Sequence, residues 1–288
     1  MKKNGFTFIE LSLVMVIIAI LVAGSMPIGA SIIRAGKIQT TTQKLDAIEA
    51  ALEAYLVTNG TLPCPASREE VPGDANFGIE ARTSATECNT GYSGITYDGT
   101  NDILHGAVPV RTLNMTNLSM SDGWDNKIAY IVAEDFAENF TIQPSDSDTI
   151  TITTGTTPDT ITDDAIYVLI SPGKNRSGAY PIDAATQINT SPPNSGEDEN
   201  IDEDPTFRDY EYDEDFDDGV RFKTKMQIVF DIDWEDIGCS GAEATALYSY
   251  SWPDAKYGEG VESTSDSGYC RKCYKYSRWG NEYTTDCP

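Results

Sequence analysis

The chain has 288 residues, of which 40% are hydrophobic, and this length supports one large domain or two modest ones with a sizeable core. Its formal net charge is −26, from 46 acidic and 20 basic side chains. A surface this acidic repels a nucleic-acid backbone and does not attract anionic lipid headgroups, so we expect no nucleic-acid partner.

The first predicted element is an apolar helix. Residues 6–33 contain one ionisable side chain, Glu10, and as a helix they are long enough to cross about 30 Å of hydrocarbon. Lys2 and Lys3 precede the run, which predicts a single membrane pass with the start of the chain in the cytoplasm and the rest outside. The alternative is a secretory signal peptide cleaved near residues 23–25.

Glu10 is costly inside a bilayer, by about 2.5–3.5 kcal/mol near the centre and less at the interface. It either lies solvated at the headgroup boundary or requires a partner. The stretch KKNGFTFIEL, residues 2–11, resembles the processing site of type IV prepilins, which has a short basic leader, a glycine, an aromatic residue and a glutamate fifth in the mature chain. The resemblance implies a leader at residues 1–5, cleavage by prepilin peptidase between Gly5 and Phe6, and methylation of the Phe6 amine.

The same resemblance implies how the helix assembles. Cleavage leaves a cationic amine on Phe6, and Glu10 would pair with the amine of a neighbouring subunit, which would fix the axial register between subunits. Pro27 falls where many pilins carry a proline. It lacks a backbone donor, so we expect it to kink the helix, although membrane helices also tolerate ordinary prolines.

Residues 34–60, which we call the stalk, are predicted to continue the helix as an amphipathic segment. Apolar residues recur there at three- and four-residue spacings. They are Ile38, Leu45, Ile48, Leu52, Tyr55 and Leu56. The helix should end near Thr58, because Asn59 and Gly60 offer a left-handed cap and Pro63 cannot prolong it.

The remainder predicts a β-rich head at residues 61–235 and a Cys- and aromatic-rich subdomain at residues 236–288. Strand-like runs alternate with turn residues, which favours an antiparallel sheet packed on the stalk and an α+β fold. The clearest runs are 128–132, 149–153, 166–170 and 226–230.

Two short head segments resemble turns of the major pseudopilins of type II secretion. Residues 122–127, DGWDNK, are similar to an aspartate-x-tryptophan-glycine turn, and residues 170–178, ISPGKNRSG, are similar to a serine-x-glycine turn. The first departs from the family pattern at Asp125, where glycine is usual. We call these segments the tryptophan turn and the serine turn.

Residues 197–218 hold thirteen acidic side chains and one basic side chain, Arg208, which predicts a solvated loop. The alternative is a calcium site, because Asp213, Asp215 and Asp217 alternate as oxygen ligands before Gly219. Major pseudopilins bind calcium in a late loop, so the resemblance implies the same ion here. No other cofactor is expected.

Six cysteines in an exported chain favour disulfides. Cys64 and Cys88 form the simplest first pair, whereas the tail cysteines allow three pairings. A four-cysteine zinc site and a Cys270–Cys273 redox pair are the alternatives. The tail cysteines are Cys239, Cys270, Cys273 and Cys287.

An enzymatic role is not expected. The one histidine, His105, cannot build a multi-histidine metal site and is expected to be a loop residue before Gly106, and there is no nucleophile elbow or phosphate loop. Aromatic residues in the tail either fill a small subdomain or recognise sugars or proteins.

The sequence therefore predicts a structural subunit of a type IV filament, either a pilin or a type II secretion pseudopilin. It would polymerise with its own kind or other pilins through an inner-membrane assembly platform, moving from the inner membrane to a periplasmic or extracellular filament. The alternative is a minor pilin at the filament tip that acts as an adhesin.

Overall fold

The computed structural model describes most of the stalk and head and three strands of the tail. The side chains of residues 21–30 and of the tail strands lie outside this description, as do Gly5 and Phe6. The described residues are 7–138, 150–154, 159–188, 196–210, 216–224, 227, 259–263, 271–276 and 282–286.

Helix α1 spans Phe8–Asn59. The Thr7 side chain caps its first turn. Gly60 caps its end, because it adopts the left-handed conformation (φ 75°) and donates its backbone N–H to the Leu56 carbonyl. The predicted end of the stalk is therefore confirmed. Helical backbone runs through Pro27, and a bend there stays a prediction.

The two parts of α1 differ in what surrounds them. The first described turns, residues 7–20, are exposed, whereas Leu45, Ile48 and Leu52 on the stalk are fully buried. Among the residues that the structure describes, no helical segment combines the length and the apolarity that crossing a membrane requires.

Twelve strands follow in the described residues. They are β1 (Arg82–Ser84), β2 (Glu87–Cys88), β3 (Thr96–Asp98), β4 (Ile103–Ala107), β5 (Ala129–Ala133), β6 (Ile150–Thr154), β7 (Asp159–Ser171), β8 (Thr206–Arg208), β9 (Gly219–Thr224), β10 (Glu259–Ser263), β11 (Arg271–Tyr276) and β12 (Glu282–Asp286). A 3-10 helix at Asn117–Met120 and α2 at Glu134–Glu138 complete the elements. Strands β5, β6 and β7 confirm three of the predicted runs, and the fourth lies outside the described residues except for Gln227.

The main sheet has seven strands. Six of them follow the order β3-β4-β5-β7-β6-β8, and β9 pairs with β7 on the edge opposite β5. Strand β7 is long enough to pair with β5 through its C-terminal half and with β6 through its N-terminal half. The expectation of a purely antiparallel sheet was wrong, because β8 pairs with β6 in parallel. A parallel pair needs a long crossover connection. Here β7 and the first part of residues 197–218, which we call the acidic segment, belong to that connection.

Both faces of the sheet are buried. Successive residues of a strand point to opposite sides, and consecutive residues of β5 are buried. Tyr130 and Val132 face the stalk and share its hydrophobic core, whereas Ile131 faces a second core that includes Phe207 of the acidic segment. One face of the sheet thus packs on the stalk as expected. Strands β10–β12 form a separate antiparallel sheet in the tail.

Candidate functional site

The described N-terminal turns place Glu10 in a capping box with Thr7. One Glu10 carboxylate oxygen accepts from the Thr7 backbone N–H at 2.8 Å and from the Thr7 hydroxyl at 2.9 Å. The Thr7 hydroxyl in turn accepts from the Glu10 backbone N–H at 3.4 Å. Glu10 therefore has a partner within its own chain, which the sequence analysis did not anticipate.

The first turns of α1 present a continuous apolar surface to the outside. The large apolar side chains there are between 47% and 87% exposed, so they take no part in the core of the head. They are Phe8, Ile9, Leu11, Leu13, Val14, Met15, Val16, Ile17, Ile18 and Ile20. An apolar surface of this extent marks a site of contact with lipid or with other chains.

The tryptophan turn is built around Asp122, which is 2% exposed. One carboxylate oxygen accepts from the backbone N–H groups of Trp124 and Asn126, at 2.8 and 2.9 Å. The other accepts from the Ser171 hydroxyl at 2.9 Å and from the Asn126 side-chain amide at 3.2 Å. Burial raises the pKa of Asp122, and these donors oppose that shift.

Asp125 in the same turn has a positive φ of 65°. Glycine adopts this left-handed conformation most readily, and Asp and Asn tolerate it better than other residues. The conformation explains why this turn accepts aspartate where the resembling turns have glycine.

Gly123 seats the tryptophan turn against the stalk. Its backbone N–H donates to the Thr41 hydroxyl at 2.9 Å, and a Cβ at this position would lie 2.3 Å from the Lys37 carbonyl oxygen. Beside this contact, the Lys44 ammonium donates to the carbonyl oxygens of Leu118 and Ser121. The absence of a side chain at Gly123 thus permits backbone to approach backbone.

The serine turn meets the tryptophan turn directly. The Asn126 side-chain amide donates to the Gly173 carbonyl at 2.9 Å, and the Arg176 guanidinium donates to the Asn126 side-chain oxygen at 2.7 Å. Together with the Ser171–Asp122 hydrogen bond, these contacts connect segments that lie about 50 residues apart in sequence. The two turns singled out from sequence therefore form one structural unit.

Three buried carboxylates adjoin this unit, and we call them the carboxylate cluster. Glu197, Asp217 and Asp218 are 0%, 7% and 6% exposed, and each offers an oxygen within 4.8 Å of those of the others. Gly173 lies against the cluster, because a Cβ there would be 2.2 Å from an Asp217 carboxylate oxygen. Bond lengths of 2.3–2.6 Å put opposite ligands of a calcium ion about 5 Å apart, so this spacing suits such an ion.

Hydrogen bonds orient the carboxylate cluster. The backbone amides of Lys174 and Asn175 each donate to Asp217 at 3.1 Å. Glu197 accepts from the Asn175 side chain at 2.6 Å and from the Asp217 backbone amide at 2.7 Å. These partners fix the positions of the Asp217 and Glu197 carboxylates.

Burial disfavours the charged form of two carboxylates in the cluster. Burial raises the pKa of Asp217, and the nearby amides and Arg34 oppose this shift. Burial, followed by the negative charge of Glu197, raises the pKa of Asp218 well above its ordinary range. A divalent cation would relieve both effects by supplying positive charge where the carboxylates are desolvated.

Asp218 also lines a small, partly open cavity of about 40 Å³. Its Oδ2 accepts from the Asn200 side chain at 2.9 Å, whereas its buried Oδ1 has no hydrogen-bond partner among the described residues. The cavity has room for about three water molecules. His105 lines the same cavity, with its Nε2 likewise unpartnered.

The structure places only one of the three predicted calcium ligands in the carboxylate cluster. Asp217 belongs to the carboxylate cluster, Asp213 and Asp215 lie outside the described residues, and sequence reasoning missed Glu197 and Asp218. Both belong to the acidic run at residues 197–218, and composition alone did not single them out.

Two expectations were wrong. The described part of 197–218 is folded against the head rather than freely solvated, because β8 pairs there and Glu203 forms an ion pair with Arg68 at 2.6 Å. His105 lies buried in β4 rather than in a loop.

The expected Cys64–Cys88 disulfide is confirmed, with its Cα atoms 5.7 Å apart. It joins the segment after the stalk to β2. Cys273 lies in β11 without a described side chain, and the remaining tail cysteines, at 239, 270 and 287, lie outside the described residues.

Comparison with known proteins gives one finding for the N-terminus. Residues 1–26 match a family model described as the prokaryotic N-terminal methylation motif. No curated protein and no solved structure matches the chain.

Proposed function

We propose that this chain, which carries at residues 1–26 the N-terminal methylation motif that is the signature of type IV pilins and pseudopilins, is a structural subunit of a type IV filament. The motif is the observation that carries the proposal. It implies processing by a prepilin peptidase, followed by assembly into a filament.

The shape of the molecule supports this role. A single helix leaves the head and extends an exposed apolar surface at residues 7–20, while its stalk is built into the core. The sequence of residues 6–33 would hold the precursor in the inner membrane, and the same surface would pack against other subunits in the filament.

Glu10 would act in two successive states. In the single chain the Thr7 capping box satisfies its carboxylate and lowers the cost of carrying it in an apolar environment. Hydrolysis of the Gly5–Phe6 bond leaves an ammonium group on Phe6, and methylation retains its positive charge. In the filament, Glu10 would exchange its internal partner for the Phe6 amine of a neighbouring subunit, which sets the register.

The position of the chain along purified filaments tests this role against that of a tip adhesin. Immunogold labelling of the native chain should decorate filaments along their length. Label confined to one filament end would reject the structural role in favour of the tip subunit.

As a second function, we propose that the head binds calcium through the carboxylate cluster. The observation that favours it is the grouping of three buried carboxylates, together with the buried Asp218 Oδ1, which has no hydrogen-bond partner among the described residues. Oxygen-only ligands suit calcium, and magnesium retains more of its own water. The chain requires no cofactor for assembly in this proposal, because calcium acts by stabilising the head.

Thermal unfolding of the native chain in calcium and in chelator tests the second function. A concentration one hundredfold above Kd should stabilise the head by about 2.7 kcal/mol. Asp218→Asn should abolish this gain, and Asp198→Asn, at an exposed position of the same segment, should retain it. Equal unfolding temperatures for the unmodified protein in calcium and chelator would reject calcium binding.

A further inference from the structure

Besides the Lys44 hydrogen bonds, stalk residues 37–45 meet the described part of the head at two further places. The tryptophan turn contacts them through Gly123, which donates to Thr41 and lies against the Lys37 backbone. The start of β9 lies beside them at Gly219, where an added Cβ would lie 3.8 Å from the Leu45 side chain. The seat of the head on the stalk therefore involves both the turn and the strand.

The carboxylate cluster lies at the second of these places. Asp217 and Asp218 immediately precede Gly219 in sequence, and Gly219 pairs with Ser171 at the end of β7. The positive charge of Arg34 on α1 also acts on Asp217. A ligand that fixes Asp217 and Asp218 thus fixes the beginning of the strand that contacts the stalk.

A chain of hydrogen bonds joins the cluster to the first place. The Lys174 and Asn175 amides hold Asp217, and the Gly173 carbonyl next to them accepts from Asn126. Asn126 in turn donates to Asp122, which shapes the turn that presents Gly123 to the stalk. The hydrogen bonds of Asn126 in this route are buried and costly to break, and those of the Lys174 and Asn175 amides are partly buried.

We infer that cation binding at Glu197, Asp217 and Asp218 is coupled to the seating of the head on stalk residues 37–45, so that the cation fixes the head in one orientation on its helix. This inference rests on the proposed calcium site. Coupling between two sites is reciprocal, so weakening the seat must also weaken cation binding. The head would then become firmly seated after export, where calcium is available to a site of modest affinity.

Two adjacent threonines provide a matched pair of variants. Thr40 and Thr41 donate their hydroxyls to the helix carbonyls of Gly36 and Lys37, at 2.9 and 3.0 Å. In the described structure only Thr41 also accepts from Gly123. Thr41→Val and Thr40→Val therefore remove the same kind of local hydrogen bond, but only the first removes the contact with the head.

The test measures calcium binding by titration calorimetry of the full chain in detergent micelles. Thr41→Val should weaken the affinity for calcium about fivefold, the low end of ordinary coupling between sites, and Thr40→Val should leave it unchanged. In the unmodified protein, calcium should slow hydrogen exchange of the Gly123 amide about fivefold, because that amide makes the contact with Thr41.

The outcomes separate the inference from the proposals beneath it. Calcium binding of equal affinity in both variants, with unchanged exchange at Gly123, would overturn the coupling and leave the calcium site in place. Absence of calcium binding in the unmodified protein would overturn the site and the coupling together. Neither result bears on the filament role, which depends on the N-terminal helix.

Discussion

The backbone N–H of Gly123 donates to the Thr41 hydroxyl at 2.9 Å, and this hydrogen bond joins the tryptophan turn to a stalk residue 82 positions earlier. The contact is close because Gly123 carries no side chain. A short turn, which can be recognised from a few adjacent residues, therefore makes a contact with the stalk that is distant in sequence.

We expect Gly123→Ala to destabilise the head by about 1–3 kcal/mol, because its Cβ would lie 2.3 Å from the Lys37 carbonyl oxygen and force the backbone to move. Denaturant unfolding followed by circular dichroism measures the loss. Gly91→Ala is the control, since the nearest atom to its Cβ would lie 3.8 Å away. Equal stability of the two variants would show that the turn is not seated as described.

Asp122→Asn should destabilise the head by about 1–3 kcal/mol, because the amide replaces an acceptor with a donor facing donors that are already buried. Asp125→Asn makes the same chemical change three residues later. Its side chain is exposed and asparagine tolerates the left-handed conformation, so little change is expected. Chemical unfolding of both variants provides the comparison. Similar losses of stability would show that the hydrogen bonds to Asp122 do not hold the tryptophan turn together.

Much of the stalk could be predicted from sequence because its signals are local. The left-handed cap at Gly60 and the apolar spacing of Leu45, Ile48 and Leu52 each act within a few residues, and the structure confirms them. The Cys64–Cys88 bridge was predictable for a similar reason, since the other cysteines lie far along the chain.

The carboxylate cluster was only partly predicted, because Glu197 lies 20 residues before Asp217 and no local pattern links the two. Composition averages charge over a segment, and the average of residues 197–218 indicates solvation. Burial is decided residue by residue, and the parallel pairing of β8 with β6 folds this segment back onto the head. This fold places a carboxylate oxygen of Glu197 within 4.8 Å of those of Asp217 and Asp218.

The single histidine provides a pH test of the cavity. Burial, assisted by the positive charge of Arg68, lowers the pKa of His105 to about 4, while Glu203 and Asp98 oppose the shift. Because the folded chain then binds fewer protons than the unfolded chain, this contribution to stability is present above pH 6.5 and is lost as the pH falls towards 4. The loss from this residue should be about 3 kcal/mol.

Nuclear magnetic resonance observes this titration directly, because His105 gives the only imidazole signal of the chain. His105→Gln should remove its share of the pH dependence between 6.5 and 4 in unfolding experiments. An imidazole that titrates near 6.5 in the folded protein would contradict the burial of His105.

Glu10→Val should leave membrane insertion intact and block filament assembly, because the valine has no charge to pair with a neighbouring Phe6 amine. Membrane fractionation and shear-isolated filaments report the two steps separately. Ser12→Ala is a suitable control, since the Ser12 hydroxyl contacts the Ile9 carbonyl within the same helix turn. Filaments of normal abundance from Glu10→Val would show that register does not depend on this carboxylate.

The intact mass and N-terminal sequence of the chain recovered from isolated filaments test the proposed processing and assembly most directly. We predict a chain that begins at Phe6, carries one added methyl group on its amine, and lacks residues 1–5. In cells without prepilin peptidase the chain should keep Met1 to Gly5 and be missing from filaments. A filament-borne chain that retains its leader, or begins near residues 23–25, would contradict this assignment of the N-terminal segment.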